Sequence, residues 1–187
     1  MIGMISIPFV YTAAVYTVIY LLVRAMVCIR TKCIDRKREL AHSLMYFNLL
    51  FIIYLTFSPL ILDFDRIFDF RVNPVPFVYL TDYDNSTSMI MNVFGNILMF
   101  VPTGIILPVL YKRLNSFAKV AGTGFLISLA IEIMQLPFAS RTSDVDDLIM
   151  NTLGAATGYV IYMIACYAFG RKKRSATEVC DIYDIAK

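Results

Sequence analysis

A glutamate set in a strongly apolar stretch is costly unless its surroundings use its charge. Glu132 is such a residue, in the run Ile131-Glu-Ile-Met-Gln135, and Asp144, Asp146 and Asp147 follow after one short turn. Two carboxylates whose burial separates their proton affinities can serve as general acid and general base. Glu132 with Asp147 or Asp144 is therefore the candidate catalytic set, and Asp146 competes with its neighbours for the same part. Arg71 and Arg141 carry the planar fork that suits a phosphate or carboxylate, and Gln135, Asn92, Asn96 and Asn151 add amide groups to the candidate substrate-binding set. An oxygen-rich set also admits a hard divalent cation such as Mg²⁺, although no spacing here identifies a metal site or a resident cofactor. His42 is the single histidine, which argues against a histidine-based metal site or an outward Ser-His-Asp triad. Cys28, Cys33, Cys166 and Cys180 match no metal spacing.

These side chains must be positioned by membrane helices. The chain has 187 residues, 59% hydrophobic and 17% charged, against roughly 25% charged in soluble domains. Crossing the hydrocarbon takes about 20 mostly apolar residues, and five stretches qualify, at residues 4–27, 44–62, 89–110, 117–137 and 148–169. The expected fold class is all-α, a polytopic membrane bundle of about five transmembrane helices. The last three carry polar stripes. Asn92, Asn96 and Thr103 fall on one face of the third helix, Ser128, Glu132 and Gln135 on one face of the fourth, and Asp147, Asn151, Gly154 and Gly158 on one face of the fifth. At 1.5 Å per residue, Asn96, Glu132 and Asn151 each lie roughly 5–10 Å below the outer end of their helix. They are expected to meet in one layer, with Glu132 bonded to Gln135 or Asn96 or paired with Arg141 or Arg71. Interhelical hydrogen bonding alone is the competing reading, and under either one Gly154 and Gly158 form a small-residue packing seam.

Sidedness follows from charge. Of the 17 lysines and arginines, all but Arg66, Arg71 and Arg141 fall on one side of a five-helix path, and the positive-inside rule makes that side cytoplasmic. The N-terminus is then outside and the C-terminus inside. The first basic residue is Arg24, so the opening helix is expected to remain in the mature protein. The basic blocks need no nucleic-acid reading: topogenic charge with anionic-lipid contact accounts for them, and a cytoplasmic partner is the alternative. Outside lies a long loop, Asp63 to Ser88, whose Pro74 and Pro76 favour an extended path. It would lie back over the bundle with Phe77 and Tyr79 at the interface. It also contains the sequon Asn85-Ser86-Thr87, which has meaning only in a eukaryotic secretory pathway. The organisation expected is a first helix and basic loop over residues 1–40, a helical membrane domain over 41–170, and a basic cytoplasmic tail over 171–187.

Three blocks together resemble the VanZ-like family of bacterial membrane proteins, named after a teicoplanin-resistance protein. They are Arg71-Val-Asn-Pro-Val-Pro-Phe77, then Asn92-Val-Phe-Gly-Asn96 through Phe100-Val-Pro-Thr-Gly104, then Glu132-Ile-Met-Gln135 followed by Arg141, Asp144, Asp147, Asn151, Gly154 and Gly158. The resemblance runs from Arg71 to Tyr162 and adds Asn73 to the candidate binding residues. Two departures stand out, Pro74 directly after Asn73 and Asp146 beside Asp147. The resemblance implies a bacterial plasma membrane and, for some relatives, resistance to glycopeptides bearing a lipid tail. Three functions compete on this basis: an enzyme acting on an envelope lipid or lipid-linked wall precursor, a protein that binds such a lipid or the lipoglycopeptide tail without catalysis, and a small transporter. The partners implied are membrane lipids and these ligands, and the oligomeric state stays open.

Overall fold

The computed structural model describes residues 5–31, 36–58, 60–62, 72–77, 86–136, 138 and 143–185. Among them the order is strand β1 (Ile5–Ile7), helix α1 (Phe9–Thr31), α2 (Arg36–Phe57), β2 (Leu60–Leu62), β3 (Val72–Asn73), α3 (Ser86–Leu110), α4 (Phe117–Gln135), β4 (Ser143–Asp144) and α5 (Val145–Ile185). The fold is an all-helical bundle in which each of the five helices is long and apolar enough to cross a membrane. The crossing segments are Phe9–Arg30, Arg36–Phe57, Ile90–Leu110, Phe117–Gln135 and Val145–Phe169, with mean hydropathy from 1.5 to 2.0.

The boundaries differ from the expected ones where proline and local pairing intervene. The apolar run expected to end a second helix at residue 62 stops being helical at Phe57, two residues before Pro59. A proline lacks the N–H that would extend the helix and disfavours helical geometry in the residue before it. Leu60–Leu62 instead pairs antiparallel with Ile5–Ile7, Ser6 opposite Ile61. The start of the first apolar run is thus strand, and α1 begins just past Pro8. At its other end α2 starts at Arg36, because Lys and Arg are good helix formers and keep their charges at the water interface. The fifth helix runs on to Ile185, past the apolar segment. Beyond Gly170 no proline or glycine interrupts the backbone bonding pattern.

Packing centres on α3 and α5, with α4 on α5 and α2 on α3, while α1 lies chiefly against α2. The contact of α3 with α5 brings the backbones together. A Cβ added to Gly158 would stand 2.1 Å from the Val101 carbonyl oxygen, and one on Gly104 would stand 2.0 Å from that of Ala155. Gly154 meets Ile97 in the same way, at 2.2 Å. Small residues let two helices gain dispersion contact along their length where lipid removes the hydrophobic drive to associate. Ile52, Met99, Phe100, Ile131 and Ala155 form the buried cluster that ties the four inner helices at mid-depth. Leu107, Val120 and Tyr159 form a second cluster nearer the turn between α3 and α4. There Ser116 caps α4 by accepting from the Lys119 N–H at 3.4 Å.

Candidate functional site

The end of the bundle where α4 hands over to α5 is organised around Glu132. The α4 segment buries this side chain to 5% exposure three residues before the helix ends. The chain then returns as β4, and Glu132 Oε2 accepts a hydrogen bond from the Asp144 N–H at 3.0 Å. The Ser143 side chain also bonds the carboxyl. These donors are the turn residues that precede α5, so Glu132 ties the end of α4 to the start of α5. Gln135 does not join it. Its Nε2 donates to the Thr56 carbonyl at 2.9 Å and fastens α4 to the last turn of α2.

Asp144 joins three segments. Its Oδ1 accepts from the Asp146 N–H at 3.0 Å, the arrangement of a helix N-cap, and also from Asn73 Nδ2 at 3.1 Å. Asn73 and Asp144 face each other in the parallel pairing of β3 with β4, next to Val72 and Ser143. Asn73 Oδ1 also accepts from the Val75 N–H at 3.3 Å, which turns the chain after the strand. The turn ends at Phe77, whose φ of 66° is left-handed and costs a side-chain-bearing residue roughly 1–2 kcal/mol. Asp146 holds it there, both carboxylate oxygens accepting from the Phe77 N–H at 2.9 and 3.1 Å. Residues 72–77 therefore form a strap fastened to the first turn of α5 by two aspartates. The neighbour that distinguishes this sequence, Asp146, has a definite task here.

Asp147 faces α3, where Asn96 donates to it through Nδ2. Asn92, one turn further out, is exposed. Asn151 lies one turn below Asp147, buried to 2% exposure, and its Nδ2 donates to Ser128 Oγ at 2.9 Å. The expected single layer is therefore tiered. Glu132, Asp144, Asp147 and Asn96 stand above, and Ser128 with Asn151 lies beneath, bonded to each other because they are the polar groups at that depth. Arg71 and Arg141 lie outside the described residues, as do Tyr79, Asn85 and Asp63, so the expected pairing with Glu132 concerns segments beyond them. Among the described residues no three His, Cys, Asp or Glu converge as a metal site.

Asn48 was missed by reading stripes on the last three helices alone. It is buried in α2 and donates through Nδ2 to Thr103 Oγ1 at 2.6 Å. A lone amide in an apolar helix carries no periodic signal, yet a hydrogen-bonding group in that position requires a partner. Thr56 and Ser143 escaped notice for a different reason, because the groups they contribute belong to a helix end and a turn.

The family model VanZ/LLP1 matches residues 45–166. The chain belongs to the VanZ/LLP1 family. Protein VanZ of Enterococcus faecium is 28% identical over 134 residues, a stretch covering 72% of this chain and 80% of that relative. No solved structure matches the chain. The VanZ/LLP1 match reaches further towards the N-terminus than the three recognition blocks. It takes in Asn48 and Thr56 of α2 and leaves α1 outside. Within it, the blocks acquire physical roles. Asn73 and Glu132 converge on Asp144, Asn96 holds Asp147, and Gly104 admits the backbone of α5.

Proposed function

We propose that this VanZ/LLP1 protein is a multi-pass protein of a bacterial plasma membrane that lowers sensitivity to teicoplanin and other lipid-tailed glycopeptides. In this reading it recognises the headgroup of an envelope lipid or lipid-linked wall precursor at its outer polar site. The observation that carries the reading is the bonded chain from Glu132 through Asp144 to Asn73, with Asp147 on Asn96 beside it. It sets carboxylates from α4, β4 and α5 at one level, with the Asn73 amide of the strap bonded to them. Membership of the family supports the link to glycopeptides. Arg71 and Arg141 adjoin β3 and β4 in sequence and would supply the cations for a phosphate.

Recognition is favoured over acid–base chemistry by a specific feature. Glu132, Asp144, Asp146 and Asp147 each accept from a donor on another part of the chain, an arrangement that preorganises a binding surface. The catalytic reading assigns proton transfer to Glu132 with Asp147 or Asp144. It differs in one outcome, a chemically altered envelope lipid.

The test is susceptibility to teicoplanin and vancomycin in a host lacking its own relative, for the native chain and for Glu132→Gln, Arg141→Ala and Asp147→Asn at equal membrane abundance. Selective protection against teicoplanin that the variants lose is the expected result. Protection retained by abundant variants removes the site from the proposal, and no protection by the native chain removes the resistance role. A modified lipid or precursor that disappears with Glu132→Gln would replace recognition by catalysis.

A further inference from the structure

The cytoplasmic end carries a second constructed feature, which the outer site does not use. The start of α2 and the turn after α3 enclose a cavity of about 630 Å³, within the range of small-ligand sites. Lys37 and Arg38 line it from one side and Lys112 and Arg113 from the other, with Leu110 and Tyr111 between them, and among the described residues no acid lines it. One pair lies in the first turn of α2 and the other in the turn after α3, and they meet only in the folded bundle. A cleft lined by one sign of charge concentrates ions of the opposite sign. The Lys112–Leu114 turn is held in place by Lys119, whose Nζ donates to the Arg113 carbonyl at 2.9 Å.

Arg38, Leu110 and Tyr111 also border a neighbouring cavity of about 370 Å³ between α1, α2 and the end of α3. Its deeper wall is aromatic and apolar, with Tyr16, Tyr20, Met45 and Leu49. Its lining also includes His42 and Arg24, which is ion-paired with Glu39 and whose Nε is buried with no partner among the described residues. Glu39, the acid in α2, is thereby engaged away from the basic cavity. A charged cavity at helix-end level thus borders a second, mostly aromatic and apolar one beside α1 and α2, and the pair has the polarity profile of a phospholipid. A soluble anion would make no use of the cleft.

We propose that these neighbouring cavities together hold one anionic phospholipid of the cytoplasmic leaflet. Its phosphate lies among Lys37, Arg38, Lys112 and Arg113, and an acyl chain follows the α1–α2 cleft past Tyr20 and Met45. Basic pockets between membrane helices on this side recognise such headgroups. The inference is independent of what the outer site binds.

Native mass spectrometry of the full chain in a non-ionic detergent tests it, with phosphatidylglycerol and phosphatidylcholine of identical acyl chains as probes. Phosphatidylglycerol should give the more persistent one-to-one adduct. Lys112→Gln with Arg113→Gln should weaken it by about five-fold for each cation removed, and Lys37→Gln with Arg38→Gln should do the same. Arg171→Gln with Lys172→Gln removes equal charge from the tail and should leave the adduct unchanged. Equal retention of both lipids overturns the proposal, as does a tail variant that loses as much as the cavity variants. Displacement of the lipid by inorganic phosphate would reassign the cations to a free anion.

Discussion

Helices α1 and α5 both cross the membrane, yet they join the bundle by opposite means. The α1 helix meets α2 through stacked rings, Tyr16 and Tyr20 against Tyr46, and through a 2.7 Å hydrogen bond between Thr17 and the Tyr46 hydroxyl. None of its described side chains is buried. The α5 helix lies backbone to backbone on α3 at Gly104, Gly154 and Gly158 and adds polar links from Asp147 and Asn151. Apolar area does not bring helices together in lipid, because the tails are as apolar as the side chains. Close approach and satisfied polar pairs do, so the precise geometry, and with it the outer site, belongs to the α3–α5 half. The first helix stands at the edge of the bundle and forms one wall of the cleft between α1 and α2.

That contrast is most severely tested at the seam. Gly158→Leu should separate α3 from α5 and cost more than about 3 kcal/mol, whereas Ala14→Leu, on the exposed face of α1, should change nothing measurable. Heating the detergent-solubilised chain and following monodisperse protein by size-exclusion chromatography reads both. A Gly158→Leu protein as heat-resistant as the native one would refute the close-packed seam.

The next effect belongs to the acceptor at the end of α4. Glu132→Ala leaves the Asp144 N–H and the Ser143 side chain without their acceptor, a loss of about 1–3 kcal/mol. Glu132→Gln keeps a carbonyl oxygen there and should unfold nearer the native temperature in the same assay. Equal losses would mean that charge, rather than hydrogen bonding, holds this turn.

Smaller again is the strap. Asp146→Ala frees the Phe77 N–H and removes what offsets its left-handed backbone, at about 1 kcal/mol. Residues 72–77 should then be cut faster in limited proteolysis while the melting temperature moves little. An unchanged cutting rate would show that the β3–β4 pairing holds the strap unaided. The smallest effect is expected in the double-mutant cycle of Asn48→Ala and Thr103→Ala, with a coupling of about 0.6 kcal/mol. A coupling of zero would leave α2 held to α3 by apolar contact at this level.

Much of this was legible in the residues. Helix number, the polar faces of the third to fifth helices and the small-residue seam are periodic properties, and an apolar stretch of membrane length has few alternatives to a helix. The ends of elements were less legible. Leu60–Leu62 is apolar enough to prolong α2, and only its pairing with Ile5–Ile7 shows that it does not. Asn48 was invisible because its meaning lies in Thr103, distant in the chain.

The sequence by itself determined that this is a bundle of membrane helices with opposite charge character at its two ends. Hydrocarbon thickness and the distribution of lysine and arginine act on short segments independently of the rest of the chain. Tertiary structure alone decided which acid holds which donor: Glu132 on Asp144 rather than on Gln135, Asp146 on Phe77, Asp147 on Asn96. It also gathered the basic start of α2 and the basic turn after α3 around one cavity. Hydrogen bonds reach only about 3 Å, so a partner is selected by how helices approach and turn, and here that approach is set by glycines that bring the backbones of α3 and α5 together.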